Sequence, residues 1–387
     1  MKIIFARIYQ KILYVLSRLM IIREPLVVKK IEDAKKELKL NNKKNILITT
    51  GKTICTKKFY NDIVESLKND SFNIFFFNNI ATDPSIDNIL EAYNKIKNDK
   101  IDAIIAIGGG STIDASKIIA CKIRQPNRDI RSLRGLLKVK KHPCYLVAIP
   151  TTAGTGSECT VASVVIDSQK NEKYAINDPL LIPKVAVLNP TYLVELPPSL
   201  IATTGMDALT HAVEAFIGHS NTKKTKKDAL DAMKLIFSNL YIAFKDQSLE
   251  SLEKMQEASY LAGRAFTKAY VGYVHAVAHS LGAFYHVPHG LANALILPIV
   301  LKKYDKSIYK KLKIIERETQ INNLITTIIE LDKKLQISCD FSSIIKEEDI
   351  PLLIKHINKE VYPLYPVPKY FSDKELMEIF QELKERK

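Results

Sequence analysis

The sequence has no tryptophan and few cysteines, and the spacing of those cysteines forms no recognisable pair. The five cysteines lie at positions 55, 121, 144, 159 and 339, and none belongs to a CxxC motif. An odd number of cysteines without a secretory signal is typical of reduced thiols in the cytoplasm. We therefore expect a cytoplasmic protein.

Residues 1–24 lack the features of a membrane span or a signal peptide. Lysine and arginine residues interrupt this apolar segment, and its longest uncharged run, Ile12–Ser17, is far short of the roughly 18 residues a spanning helix needs. No small-residue cleavage site follows. Apolar residues at positions 4, 8, 12, 15, 16 and 19 predict an amphipathic helix. We expect it to dock on the protein's own core, with contact to a membrane surface as the alternative.

The chain has an excess of basic residues, but its sequence shows no nucleic-acid-binding motif. The chain has 57 Lys+Arg against 42 Asp+Glu, a formal net charge of +15. The basic residues are spread over predicted helix faces and loops, and neither an aromatic–basic RNA module nor a helix-turn-helix pattern is present. We therefore expect no nucleic-acid partner.

The order of predicted elements indicates two domains. In the first half, predicted strands at 45–50, 72–77, 101–107 and 145–149 alternate with predicted helices at 57–69, 85–99 and 111–121. This alternation predicts a parallel sheet, a Rossmann-like α/β domain. After Pro190 long helical periods dominate, among them Leu249–Ala269, and Ser372 with Glu375 predicts a capping box for the last helix. We predict an α/β dinucleotide-binding domain at 1–190, including the N-terminal helix, and an all-helical metal-binding domain at 191–387, with the site in the cleft between them.

Two loops that follow predicted strands are suited to a dinucleotide. The strand IDAIIAI runs into Gly108, Gly109, Gly110 and Ser111, and a predicted helix begins there. Glycines allow close backbone approach, and a helix N-terminus offers N–H groups to an anion. The second loop, PTTAGTGSE at 150–158, is rich in threonine and small residues. Ligands of open α/β sheets bind at the carboxyl ends of strands, so the two loops predict a pyrophosphate and ribose site.

Half of the eight histidines lie in GYVHAVAHSLGAFYHVPHG, from Gly272 to Gly290. His275 and His279 are four residues apart, as are Asp207 and His211 in GMDALTHAVEAFIG, and this spacing puts each pair on one helix face. His289 follows in VPHG. Carboxylate and imidazole groups together suit a divalent metal such as Fe²⁺ or Zn²⁺, and their types alone do not decide between the two.

Four motifs in order resemble the signatures of the iron-containing (group III) alcohol dehydrogenases: GGGSTIDASK, AIPTTAGTGSE, GMDALTHAVEAF and GYVHAVAHSLGAFYHVPHGLANALILP. The resemblance implies a dehydroquinate synthase-like fold and hydride transfer between NAD(P)(H) and a short alcohol or aldehyde bound to the metal. It implies the metal ligands Asp207, His211, His275 and His289, and a proton relay at His279. The predicted cofactor-binding residues come from the family motifs, from the two loops and from positions near them. They are Gly51, Gly108, Gly109, Gly110, Ser111, Asp114, Thr151, Thr152, Thr155, Ser157 and Lys173.

Two departures from the family pattern bear on specificity. Gly51 stands where many members carry an aspartate that holds the adenosine ribose, and glycine leaves room for a 2′-phosphate, with Lys52 nearby. We therefore favour NADP(H) over NAD(H). Lys268 and Tyr270 replace an asparagine and a glycine of the propanediol oxidoreductase branch, so the substrate of that branch does not transfer.

Two other functions stay open on the sequence. One is a metal-dependent lyase of the same fold, similar to dehydroquinate synthase. The other is a non-enzymatic interaction protein that contacts membranes through residues 1–24. The family resemblance also implies a homo-oligomer, with a dimer as the simplest case. We favour the dehydrogenase because the residues around the predicted metal ligands are mostly apolar, which suits a small, weakly polar substrate.

Overall fold

A computed structural model describes residues 2–19, 22–170 and 172–386, apart from the side chains of residues 2, 13, 14 and 16–19. The chain forms two compact units. The α/β unit comprises Ile22–Thr152 and Gly156–Glu195. The helical unit comprises Met1–Ile21, Ala153–Thr155 and Leu196–Lys387.

The α/β unit contains a six-stranded parallel sheet. Its strands are β1 (Leu26–Val28), β2 (Asn45–Thr50), β3 (Asn73–Phe77), β4 (Ala103–Gly108), β6 (Tyr145–Pro150) and β9 (Val185–Val187). Their spatial order is β1-β9-β6-β4-β2-β3, and every neighbouring pair is parallel. The central strands β2, β4 and β6 are rich in aliphatic residues and are buried along nearly their whole length, as expected for a parallel sheet. The predicted fold class is confirmed.

Helices and a smaller sheet complete this unit. The helices are α2 (Ile31–Leu40), α3 (Lys58–Asn69), α4 (Ile86–Ile96) and α5 (Gly110–Arg124). Ser85 begins α4 as predicted, and its side chain accepts a hydrogen bond from the backbone of Asn88 at 3.1 Å. The small sheet has the order β5-β8-β7, from β5 (Gly135–Leu136), β7 (Ala162–Asp167) and β8 (Glu172–Asn177).

The helical unit contains the remaining helices. They are α1 (Lys2–Leu19), α6 (Pro198–Ile217), α7 (Lys223–Asp246), α8 (Leu249–Ala269), α9 (Tyr273–Tyr285), α10 (His289–Tyr304), α11 (Tyr309–Thr319), α12 (Leu324–Lys334), α13 (Ile350–Val361) and α14 (Asp373–Glu385). Helix α6 is buried on every side from Gly205 to Ile217, so it forms the centre of this unit. The predicted capping box of Ser372 and Glu375 begins α14.

Helix α1 differs from the prediction in two ways. It packs with the helical unit, whereas the sequence predicts it within an α/β domain that ends at residue 190. Its apolar residues Ile4, Ile8, Ile12 and Val15 are exposed and do not dock on the core. The reason is that the opposite side of the helix carries Gln10 and other polar groups that hydrogen-bond to backbone carbonyls of the unit.

Candidate metal and cofactor sites

Three predicted metal ligands converge in the helical unit. Helix α6 supplies Asp207, helix α9 supplies His275, and His289 begins helix α10. The Nε2 atoms of His275 and His289 lie 3.7 and 3.6 Å from Oδ1 of Asp207. One potential ligand atom from each of the three residues lies within 4.8 Å of the others. A carboxylate and two imidazoles aimed at one point form a donor set that suits a divalent metal.

The fourth predicted ligand, His211, lies beside this group but outside it. Its Nδ1 atom is 3.8 Å from Oδ1 of Asp207, one helical turn earlier on α6. Its ring stacks between Phe266 and His275, at centroid distances of 4.2 and 4.4 Å. Among the described residues, Nδ1 of His211 and Nε2 of His275 are buried without a hydrogen-bond partner. Buried polar atoms need a partner, and a metal ion is a partner that both atoms could share.

A buried carboxylate that the sequence reasoning missed holds His275 in place. Glu214 is 3% exposed. Its Oε2 accepts hydrogen bonds from Nδ1 of His275 at 2.6 Å and from the backbone N–H of Gly272 at 2.8 Å, while Oε1 accepts from Val274 N–H at 2.8 Å. This leaves Nε2 of His275 as the atom that faces Asp207. Asp207, His211 and Glu214 share the i, i+4, i+7 face of one helix, and that spacing was a usable signal in the sequence.

Asn293 is a second contributor that the sequence reasoning missed. It is fully buried on α10, one helical turn after His289. Its Nδ2 donates to Oδ1 of Asp207 at 2.7 Å and lies 3.1 Å from Nε2 of His289. The amide therefore fixes the orientation of both side chains relative to each other.

His279 stands apart from the three converging ligands. Its Nδ1 hydrogen-bonds to Oε1 of Glu360 at 2.6 Å, and the same oxygen accepts from the hydroxyl of Tyr365 at 2.6 Å. Its ring stacks on His289 at 5.1 Å and keeps 17% of its side-chain surface exposed. A histidine beside the ligand group, oriented by a carboxylate and accessible to solvent, can exchange a proton.

The electrostatics of this site balance two buried carboxylates, Asp207 and Glu214, against several imidazoles. Burial alone would raise the pKa of Asp207, but the surrounding His211, His289 and His275 hold that pKa well below its usual range. Burial lowers the pKa of His211 to about 3, so this imidazole is neutral. Burial also disfavours the charged form of His275, yet Asp207 and Glu214 outweigh it and raise its pKa to about 9. Two buried carboxylates thus favour positive charge at one place, which fits a bound cation.

The predicted phosphate loop lies at the end of β4 in the α/β unit. Gly108 is paired with Pro150 of β6, so both predicted loops begin at the same edge of the sheet. Gly109 is the N-cap of α5, and α5 begins at Gly110 without a capping side chain. A Cβ at Gly108 would come within 2.4 Å of the Thr112 hydroxyl, which explains the need for glycine there. Ser111 donates its hydroxyl to the carbonyl of Thr82.

The second loop is divided between the two units. Thr151 and Thr152 belong to the α/β unit, where Thr151 N–H donates to the Gly108 carbonyl at 3.1 Å. Thr155 belongs to the helical unit. Ser157 donates to Asp114, whose other oxygen accepts from Val164 N–H at 2.8 Å. Asp114 and Ser157 therefore fix the loop against α5.

Three remaining positions bear on cofactor and substrate specificity. Gly51 follows β2, and a Cβ there would lie 3.3 Å from the Ile80 carbonyl. Lys173, on β8, pairs with Asp83 at 2.8 Å. Tyr270 follows α8 with a φ of 63°, a left-handed value that favours glycine over a bulky side chain. Tyrosine stands here although the propanediol oxidoreductase branch has glycine.

Comparison with known sequences identifies related proteins for both units. A sequence profile described as iron-containing alcohol dehydrogenase matches residues 26–190, and one described as Fe-containing alcohol dehydrogenase family, C-terminal, matches residues 201–383. The chain is 33% identical over 309 residues to an NADPH-dependent butanol dehydrogenase of Clostridium saccharobutylicum, covering 77% of this chain and 79% of that protein. It is 32% identical to lactaldehyde reductase of Escherichia coli, over 82% of this chain and 86% of that protein.

Solved structures and larger relatives show the same similarity. An alcohol dehydrogenase from Oenococcus oeni superimposes with a TM-score of 0.88 at 30% identity, covering 94% of this chain and 99% of that one. Aldehyde-alcohol dehydrogenases of Streptococcus pneumoniae are 36% identical over 276 residues, but that match covers 68% of this chain and spans only 31% of their length.

Proposed function

Because the chain belongs to the iron-containing alcohol dehydrogenase family, we propose that it is an NAD(P)(H)-dependent dehydrogenase that interconverts a short alcohol and its aldehyde on a divalent metal. The observation that carries this proposal is the convergence of Asp207, His275 and His289. The two relatives described above act, by their names, on butanol and lactaldehyde, which are small and uncharged.

Asp207, His275 and His289 would hold the metal, with His211 as the fourth ligand. Iron is the metal that the family name implies, and Zn²⁺ is the alternative that the same donors accept. When bound, the metal acts as a Lewis acid towards the oxygen of the substrate. Glu214 keeps His275 in position, because a ligand imidazole is oriented by the hydrogen bond on its far side. Asn293 orients Asp207 by donating to its Oδ1.

His279 is proposed as the proton relay between the substrate oxygen and solvent. Its ring borders His289, and its Nδ1 is held by Glu360 at 2.6 Å. That hydrogen bond fixes the tautomer, so Nε2 is the atom that gives or takes the proton. The proton must be exchanged because hydride transfer to or from the carbon of the substrate changes the charge on its oxygen.

The loop of Gly108–Ser111 and the start of α5 would hold the pyrophosphate of the cofactor. The uncapped N-terminus of α5 offers N–H groups and the positive end of the helix dipole. Thr151, Thr152 and Thr155 would contact the rest of the dinucleotide. Lys173 is also proposed as a cofactor-binding residue. Because Gly51 has no side chain, it leaves room for the 2′-phosphate of NADP(H). This preference is in line with the NADPH-dependent butanol dehydrogenase among the relatives.

The proposal also places the enzyme in the cytoplasm. Cys55, Cys121, Cys144 and Cys339 are free thiols in the structure. Free thiols persist in reducing compartments, whereas oxidising compartments favour disulfides.

Two matched histidine variants test the function. His275→Ala should lose bound metal and turnover of an aldehyde panel with NADPH together, because it removes a ligand. His279→Ala should keep its metal and lose most of its turnover, because general acid–base groups contribute about 10²–10⁴-fold. Metal content by mass spectrometry and initial rates measure both effects. Full turnover in metal-free His275→Ala would refute the proposal.

A further inference from the structure

Helix α1 is attached to the helical unit through its polar side. Arg7 donates from Nη1 to the carbonyl of Val367 at 2.7 Å. Gln10 is 5% exposed, and its Nε2 lies 2.7 Å from the carbonyl of Tyr365 and 2.8 Å from that of Pro363. This is the reverse of an ordinary surface helix, which buries its apolar side.

The opposite side of α1 is an exposed apolar stripe. Its members are more than half exposed: Ile4, Phe5, Ile8, Ile12 and Val15. The positions 4, 8, 12 and 15 lie one above another along the helix. A continuous exposed apolar surface of this kind marks an interaction site with a protein or a membrane.

The charge of the helix identifies the chemistry of its partner. Residues 2–19 contain four basic residues and no acidic one, namely Lys2, Arg7, Lys11 and Arg18, in a chain of net charge +15. A second copy of the same chain would bring like charges together, which opposes association. Anionic phospholipid headgroups complement this helix, and its apolar side chains match the acyl region beneath them.

Two observations separate this helix from catalysis and from membrane spanning. The family profile begins at residue 26, after α1 has ended. In the part of the chain that the structure describes, no helix is long and apolar enough to cross a bilayer. A basic amphipathic helix that cannot span lies in the plane of the interface.

We propose that α1 docks on the surface of a bilayer that contains anionic phospholipid. The stripe of Ile4, Ile8, Ile12 and Val15 enters the boundary between headgroups and acyl chains, and Lys11, which is exposed beside it, contacts lipid phosphates. Arg7 and Gln10 keep the helix fixed to the enzyme. The site would thereby work next to a membrane, and this docking does not depend on the proposed reaction.

Cosedimentation of the full chain with vesicles tests the proposal. We compare phosphatidylcholine vesicles with vesicles that also contain phosphatidylserine. The protein should bind the second kind, and added salt should weaken binding because it screens the headgroup charge. Lys11→Ala should lower the partition coefficient about fivefold. The triple variant Ile4→Ser, Ile8→Ser, Ile12→Ser should lower it about a hundredfold, because three half-exposed isoleucines no longer leave water on binding.

A matched triple variant controls for general surface hydrophobicity. Leu40→Ser, Leu249→Ser, Leu352→Ser removes three exposed leucines outside α1 and should bind vesicles as the wild type does. Both triple variants should keep wild-type turnover, which verifies folding. Equal binding of the wild type and the isoleucine variant overturns the proposal. So does an isoleucine-dependent dimer in ultracentrifugation without vesicle binding, since the stripe then covers a second copy of the chain.

Discussion

Glu214 provides the sharpest test of how the chain prepares its metal site. Its two carboxylate oxygens accept three hydrogen bonds at 2.6–2.8 Å, from Gly272, Val274 and His275. Replacing it by glutamine conserves the shape but turns one oxygen into an NH₂ group. In either orientation of the amide, at least one of the three donors then faces another donor.

The expected cost follows from that count. A buried donor without an acceptor costs about 1–3 kcal/mol. Loss of a group that orients a metal ligand typically weakens metal binding by about 10–100-fold. At about 1.4 kcal/mol per tenfold change, that range equals about 1.4–2.8 kcal/mol of binding free energy. We therefore expect Glu214→Gln to bind Zn²⁺ or Fe²⁺ about 10–100-fold more weakly. The unsatisfied donor should separately lower the stability of the metal-free protein by about 1–3 kcal/mol.

Chelator competition measures the affinity, and urea denaturation of the metal-free protein measures stability separately. Asp228→Asn is the matched control, because Asp228 is equally buried in the same unit and pairs with Arg264 at 2.6 and 2.8 Å. It should lose stability and keep wild-type metal affinity. The reasoning is refuted if Glu214→Gln binds metal as tightly as the wild type, or if Asp228→Asn weakens binding equally.

Three other predictions concern the cofactor, the proton relay and the thiols. Gly51→Asp should shift the activity ratio about tenfold or more towards NADH, since a carboxylate repels a 2′-phosphate, while Gly51→Ala reports the effect of size alone. Glu360→Gln should lower kcat about tenfold and shift its pH profile without changing metal content, because a neutral amide holds His279 less strongly; an unchanged profile would exclude the relay. Iodoacetamide near pH 8 should modify Cys55 and spare Cys144, whose pKa burial raises to about 12; peptide mapping that finds Cys144 labelled would contradict its position.

Much of the fold could be predicted because its signals are local. The strand NILITT was predicted at 45–50 and is β2 with those bounds, since its side chains favour a buried strand and polar residues flank it. Helix α8 also has its predicted bounds, Leu249–Ala269, and Ser372 begins α14 through the predicted capping box. Such signals need no knowledge of distant residues.

The site could be predicted only in part. The i, i+4 spacing put Asp207 and His211 on one helix face, but spacing does not reveal which neighbour each side chain meets. Glu214 reaches His275 across 61 residues, and Glu360 reaches His279 across 81. The i, i+7 spacing from Asp207 puts Glu214 on the site's face of the helix, but the contacts themselves depend on how helices pack, so no local pattern identifies the partner.

Helix α1 also separates what the sequence determines from what only the tertiary structure decides. The sequence determined that residues 2–19 form an amphipathic helix, because 3.6-residue periodicity sorts side chains onto two sides. Only the tertiary structure decided which side is covered. The backbone carbonyls of Pro363 and Tyr365 accept hydrogen bonds from Gln10, so the polar side faces the protein and the apolar stripe is left to water or a partner.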